Sequence, residues 1–307
     1  MSVMRSVLLK GSESAWLRER ATRTAFVRRA VSRFMPGETF DDMLGAARVM
    51  SGLGVGSVFT RLGEGVRDRA EAGAVLAHYL ECLSRLRQMG VDCEPSIKPT
   101  QLGLDIDRDL ALGHLQTLAA HAHECGTYLW VDMEQSSYVD VTLDFMRRLR
   151  ETYPRVGVCL QAYLYRTRED LVDLMGRGVG IRLVKGAYNE PRAIAYRRKA
   201  DIDAAFARMM KVLLTDGHYP AFATHDPAMI DLARQWTTER QISRDRFEFQ
   251  MLHGIRRDLQ RMLSKEGYRM RVYVPFGREW FPYVMRRLGE RPANVVSVLR
   301  SLAGERR

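Results

Sequence analysis

Cysteine is sparse in this sequence and shows no pairing pattern. Cys82, Cys93, Cys125 and Cys159 are scattered over 307 residues, with no CxxC pair and no ligand-like cluster. This excludes a disulfide framework or zinc site as the organising device and suits a reducing cytoplasm. His121, His123 and Cys125 are close in sequence, but i and i+2 positions on a helix face different ways. They read as ordinary helix residues, and no metal is expected. No apolar run approaches the roughly 20 residues of a bilayer span. The opening MSVMRSVLLKGSESAW lacks the long apolar region and cleavage site of a secretory signal. The segment Gly52-Leu53-Gly54-Val55-Gly56 has Ser57 where GxGxxG needs glycine, and it precedes a strand instead of following one. A Rossmann loop is therefore excluded. No linker, low-complexity tract or repeat divides the chain, so one domain is expected over 1–307.

What is present is ordinary globular material. Hydrophobic residues at 46% and charged residues at 28% argue against disorder, and the length suffices for a large core. The net charge of +11 gives an isoelectric point near 9.7. Arg18, Arg20, Arg23, Arg28, Arg29 and Arg33 share one predicted helix with Trp16, Leu17, Phe26, Val27 and Val31. A basic amphipathic helix suits an anionic membrane surface, nucleic-acid phosphates or a solvated face, and charge alone does not choose. No helix-turn-helix, RRM or zinc-finger pattern supports the nucleic-acid reading, so no nucleic-acid partner is expected.

A helical arm at 1–50 ends with a start signal, Thr39 followed by Asp41 and Asp42. The barrel region is expected over 51–307, and from residue 55 onward apolar runs alternate with helical patterns. Strands are predicted at Val55–Arg61, Pro95–Pro99, Tyr128–Met133, Val156–Ala162, Gly180–Lys185, Pro220–Thr224, Phe247–Leu252 and Arg271–Pro275. Helices are predicted at Asp68–Gln88, Arg108–Glu124, Val139–Thr152, Ala200–Leu214, Met229–Glu239, Glu279–Leu288 and Ala293–Leu302. Eight alternations in a chain of this size point to an α/β fold, a closed (β/α)8 TIM-like barrel with extra N-terminal helices. An open doubly wound sheet is the alternative.

Barrel active sites lie at the C-terminal ends of the strands. Here those ends read Lys98, Asp132, Gln161, Arg182 with Lys185, Thr224-His225-Asp226, and Tyr273. Several apolar strands each leading into a charged or amide side chain indicate a site for a polar ligand. Tyr283, Arg286, Arg287 and Glu290 follow at helical spacing, and paired guanidinium groups suit a small carboxylic acid.

These segments resemble a known family. IKPTQLGLD, VDMEQS, LQAYLYR, RLVKGAY, FATHD, FEFQMLHG, VYVPFG and YVMRRLGERP, in that order from Lys98 to Pro292, are similar to proline dehydrogenases. Gly63-Glu64 adds support upstream. With no aldehyde dehydrogenase domain following, the chain also resembles the short monofunctional bacterial members. The resemblance implies a distorted barrel that holds FAD without a covalent bond. It also implies oxidation of L-proline to Δ1-pyrroline-5-carboxylate, the first step of proline catabolism, by hydride transfer from C5 to the flavin N5. Electrons would pass to a membrane quinone, and the product to a separate pyrroline-5-carboxylate dehydrogenase. The basic arm would then serve peripheral contact with an anionic membrane.

By the same resemblance, Lys98, Arg286 and Arg287 bind the proline carboxylate. Tyr273 and Tyr283 shape the ring pocket, with Tyr188 beside it. Asp132 orients Lys98 and Tyr273, and Glu64 pairs with an arginine to close the pocket. Met133, Gln161, Lys185, Gly186, Ala187, Thr224, His225 and Glu290 touch the flavin. Arg182 faces its reactive edge. Hydroxyproline or another cyclic amino acid is the alternative substrate; Tyr283, crowding a ring hydroxyl, favours proline.

Physical chemistry accords with these assignments. The proline ammonium, with a pKa on the order of 10, must lose a proton, and a cationic pocket disfavours its protonated form. No strong general base is then needed. Two points are unresolved at this level. Pro99 constrains the strand end beside Lys98, and Arg182 and Lys185 have opposite parity in a straight strand. The pyrophosphate contacts are weakly specified, with Arg197, Arg198 and Lys199 as loose candidates.

Overall fold

A computed structural model describes residues 33–63 and 65–290 of the chain; of Arg286, Leu288, Gly289 and Glu290 it describes the backbone alone. The basic helix, Glu64 and the terminal helix at Ala293–Leu302 were sequence expectations that lie outside the described residues, apart from Arg33.

The first described helix, α1 (Phe40–Ser51), begins where the sequence signals it. The Thr39 hydroxyl accepts from the Asp42 N–H at 3.2 Å, and the Asp42 carboxylate accepts from the Thr39 N–H at 2.9 Å. Each group satisfies an amide that the helix leaves open. Hydrogen bonds from the Thr39 hydroxyl and amide hold the Asp42 carboxyl below its usual range.

Strands and helices then alternate. They run β1 (Gly56–Arg61), α2 (Arg69–Met89), β2 (Cys93–Ile97), α3 (Arg108–Glu124), β3 (Leu129–Val131), α4 (Val139–Thr152) and β4 (Val156–Gln161). The second half runs α5 (Thr167–Gly176), β5 (Gly180–Val184), α6 (Lys199–Asp216), β6 (Pro220–Ala223), α7 (Pro227–Glu239) and β7 (Glu248–Leu252). It ends with α8 (Arg257–Lys265), β8 (Arg269–Phe276) and α9 (Trp280–Glu290). Every strand pairs in parallel with the next. β8 pairs back onto β1, from Gly56 opposite Arg271 to Arg61 opposite Phe276, and closes the barrel. That pairing rules out the open sheet.

Outward strand residues such as Phe59, Val131, Leu160, Leu183 and Phe249 are buried against the helices in one continuous core. Inward residues fill the barrel below the site. Val58, Trp130 and Ala221 cluster there, with Tyr128, Tyr219 and Tyr273 packed against them. The Tyr128 and Tyr219 rings lie 4.6 Å apart, and Trp130 lies 5.3 Å from Tyr128 and 5.8 Å from Tyr219. The indole needs an inward glycine opposite it: a Cβ on Gly157 would stand 2.5 Å from the Trp130 ring. Deeper still, Arg271 is held by Asp92 at 2.7 Å and by Glu94 and Glu248 at 3.2 Å each. Burial pushes the Glu94 carboxyl up.

Candidate active site

At the opposite end, where the strands finish, the barrel opens into a cavity of about 450 Å³. Its wall is built from consecutive strand ends, so residues far apart in sequence meet across it.

Pro99 explains how β2 ends. The strand stops at Ile97, and Lys98 stays extended (φ −95°, ψ 134°) while Pro99 opens a 3-10 turn, Pro99–Leu102. The first position of such a turn needs no amide donor, and the residue before proline favours an extended backbone. Lys98 therefore projects into the cavity from a fixed corner. The Glu134 carboxylate secures that corner by accepting from the Thr100 hydroxyl at 2.6 Å and its N–H at 3.2 Å. Gln161, which lines the cavity, donates to the Glu134 carbonyl at 2.9 Å.

Asp132, just beyond β3, is the centre of the buried network. One carboxylate oxygen accepts from the Arg182 Nη1 at 2.7 Å and the Ser96 hydroxyl at 2.9 Å. The other accepts from the Tyr273 hydroxyl at 2.7 Å. Arg182 is only 2% exposed, so its charge is balanced by Asp132 rather than by water. Its Nε and Nη2 atoms have no hydrogen-bond partner among the described residues, although the side chain lines the cavity. Buried donors of this kind are costly to leave unused, which marks them as contacts for a ligand acceptor. Burial and the adjacent Asp132 charge push the Tyr273 phenol well up, so it stays protonated.

The parity conflict on β5 is settled by where the strand stops. Arg182 points inward within β5, whereas Lys185 follows the last strand residue, Val184. The chain then turns through Gly186 at φ 120°, where a Cβ would lie 2.2 Å from the Tyr163 ring. This turn lets Arg182, Lys185, Gly186, Ala187 and Tyr188 line one cavity. Lys185 Nζ bridges Asp203 at 2.5 Å and Asp226 at 2.6 Å, and Lys199 joins the same two carboxylates. Burial alone would raise the Asp203 and Asp226 carboxyls. Hydrogen bonds and positive charge from the lysines, joined at Asp226 by the Ala228 N–H, outweigh that and hold both below their usual range.

Thr224 and His225 follow β6, and both line the cavity. The Thr224 hydroxyl accepts from the Asp226 N–H at 3.1 Å, while Asp226 caps α7. His225 Nε2 accepts from the Leu252 N–H at 2.9 Å, which places the ring proton on Nδ1. Met133 completes this wall, and α9 lies over it with Tyr283 and Arg287. The Arg287 guanidinium carbon lies 5.5 Å from the Tyr283 ring centre. The helix is seated by a small apolar cluster that includes Phe34, Met35, Leu62 and Trp280. The Trp280 indole N–H donates to Glu38 at 3.2 Å.

The cavity thus gathers the sequence-derived candidates whose side chains are described, except two of the loose pyrophosphate candidates. Lys199 lines it, whereas Arg197 donates to Asn189 and Arg198 faces Asp201 on the exposed surface. Arg286 and Glu290 are placed on α9 by their backbone only, and Glu64 lies outside the described residues. Sequence reasoning passed over Arg61, Cys159, Gln250 and Asp203; Asp226 it named only as part of the β6 strand end. Cys159 and Gln250 had an available signal, since each shares inward parity with a strand-end residue. Asp203 sits on a helix and reaches the site through a long-range ion pair, which no local pattern reveals.

Comparison with known proteins agrees with this site. The proline dehydrogenase family matches residues 43–300. The chain is 38% identical over 270 residues to proline dehydrogenase 1 of Bacillus subtilis subsp. natto, covering 88% of this chain and 89% of that protein. It is 36% identical over 300 residues to proline dehydrogenase 2 of Bacillus subtilis strain 168, covering 98% and 99%. The Deinococcus radiodurans proline dehydrogenase is 37% identical over 275 residues, covering 88% and 89%. Among solved structures, proline utilization A (PutA) from Bdellovibrio bacteriovorus inactivated by N-propargylglycine superimposes with a TM-score of 0.79 at 25% identity. The match covers 93% of this chain and 36% of that one, so this chain spans about a third of PutA. A closed barrel, a polar cavity at its strand ends and close relatives over nearly the whole chain lead to one conclusion: the chain belongs to the proline dehydrogenase family.

Proposed function

We propose that this chain oxidises L-proline to Δ1-pyrroline-5-carboxylate, with FAD held at the barrel mouth and electrons passed to a membrane quinone. The observation that carries this reading is the buried Asp132–Arg182–Tyr273 network, with two guanidinium donors left unspent beside the cavity. Those donors fit the acceptor-rich edge of a flavin ring, and Met133, Gln161, Lys185, Gly186, Ala187, Thr224 and His225 are placed along the same wall. Glu290 joins them by resemblance. When bound, FAD supplies the two-electron acceptor for the hydride that leaves proline C5.

The protein residues divide the remaining work. Lys98, Arg286 and Arg287 take the proline carboxylate and, by their charge, favour the unprotonated amine. Tyr273, Tyr283 and Tyr188 cover the apolar ring and restrict its orientation. Tyr273 remains protonated, donating to Asp132, and so acts as a positioned wall rather than a base. Arg182 offsets negative charge that builds at the acceptor during transfer.

An absorbance spectrum before and after anaerobic L-proline tests this reading. A flavin spectrum bleached by proline is expected; a protein that stays colourless after FAD is added back overturns it. Bleaching by hydroxyproline in preference to proline would reassign the substrate. None of the described helices is long and apolar enough to cross a membrane. The quinone reading therefore includes peripheral contact of the basic Arg18–Arg33 segment with the inner face of the cell membrane. Sedimentation with anionic liposomes at low salt, lost at high salt, is the expected result. The product is proposed to pass to a pyrroline-5-carboxylate dehydrogenase on a separate chain.

A further inference from the structure

Trp130 lies beneath the cavity, one inward position below Asp132, and is fully buried. The Arg182 guanidinium carbon stands 4.6 Å from its ring centre and 5.5 Å from that of Tyr273. Asp132 and Ser96 hold only the Nη1 atom of that guanidinium. A group held at one nitrogen retains freedom to tilt. Because a guanidinium is planar, an aromatic face packed against it fixes the directions of all its N–H bonds. The two donors without a partner, on Nε and Nη2, are the ones whose direction depends on that plane.

The indole is itself built into place. Its Nε1–H donates to the Glu94 carboxylate at 2.6 Å, and Glu94 in turn faces Arg271 at 3.2 Å. Tyr128 and Tyr219 back it, and Gly157 leaves it room. An aliphatic side chain could fill the same volume, but it would provide neither a flat polarised face nor an anchored N–H.

We infer that Trp130 is a positioning residue for the reaction. Anchored by Glu94, its indole face sets the plane of Arg182 and thereby the direction of the two donors that meet the flavin. The inference rests on the proposed reading that Arg182 faces bound FAD.

The test compares FAD-loaded wild type with Trp130→Leu, Trp130→Phe and Glu94→Gln, each alone and Trp130→Leu also in an Arg182→Met background. Readouts are the visible flavin bands, the flavin reduction potential and the anaerobic rate of bleaching by proline. Trp130→Leu is expected to shift the bands and potential and to lower kcat/KM between about threefold and thirtyfold. Trp130→Phe keeps a face without the N–H and should fall between wild type and Trp130→Leu. Once Arg182 is Met, Trp130→Leu should change kcat/KM by less than about twofold, because its effect acts through the lost side chain. Independent, multiplying effects of the two substitutions overturn the inference. So does a Trp130→Leu enzyme with unaltered bands and potential. Should Trp130→Leu fail to fold, Trp130→Phe and Glu94→Gln decide: unchanged bands and potential in both refute it. Wild-type flavin that proline does not bleach refutes the underlying reading instead, and the inference with it.

Discussion

Replacing Asp132 with alanine removes the acceptor for three hydrogen bonds at once, from Ser96, Arg182 and Tyr273. The largest consequence is electrostatic. Arg182 is 2% exposed, and its salt bridge to Asp132 spans 2.7 Å, so the variant leaves a guanidinium charge buried without its counterion. Breaking a buried pair from one side costs about 3–5 kcal/mol. In a domain of this size that corresponds to a fall in Tm of about 5–8 °C. Urea denaturation followed by circular dichroism, with and without added FAD, measures the cost separately from ligand stabilisation. The double variant Asp132→Ala with Arg182→Met removes the charge together with its partner. It should recover at least about 1 kcal/mol relative to Asp132→Ala alone. An Asp132→Ala protein within about 1 kcal/mol of wild type, or strictly additive single costs, would refute the claim that Asp132 is the essential counterion.

Other expectations follow from the same geometry. Arg287→Met should raise KM for proline by about ten- to a hundredfold with a smaller effect on kcat, and Arg287→Lys should restore only part, because charge returns without the planar fork. Gly186→Ala places a Cβ against Tyr163 at a backbone angle unfavourable to side chains, costing about 3 kcal/mol and weakening flavin retention, measurable by equilibrium dialysis. Burial lowers the His253 pKa from 6.5 to about 4, so the unfolded chain binds the extra proton first as pH falls. Stability should therefore decline between about pH 6.5 and 4, by up to about 3 kcal/mol from this group. His253→Gln should flatten that part of the stability profile; an unchanged slope excludes His253 as its source.

Much of this architecture is legible in the linear sequence because a parallel barrel writes itself as alternation. All eight strands were placed within a few residues, and α3 and α4 coincide with their predicted ranges. Strand limits slipped where pattern and hydrogen bonding differ. The apolar run at Tyr128–Met133 reads as six residues, yet only Leu129–Val131 pair as strand, because the chain leaves the sheet to carry Asp132 into the site. The helices α5 and α8 were not singled out: both are short, and α8 is dominated by polar and charged residues. The strand-end rule located the site since it depends only on chain direction. What it could not supply were pairings set by closure of the barrel. Glu94 lies 36 residues from Trp130 and Arg271 lies 179 from Asp92, separations at which no local pattern specifies a contact.

The filled floor of the barrel bears on traffic through the enzyme. Aromatic rings and the Arg271 ion network occupy the axis below the site, so molecules approach over the strand ends, past α9. On the proposed reading, substrate, product and electron acceptor then share a doorway. Under the proposed chemistry, the imine must depart before an acceptor draws near, and the two half-reactions take turns. Steady-state velocities measured against proline at several acceptor concentrations should give parallel double-reciprocal lines, the signature of a shuttle with one gate.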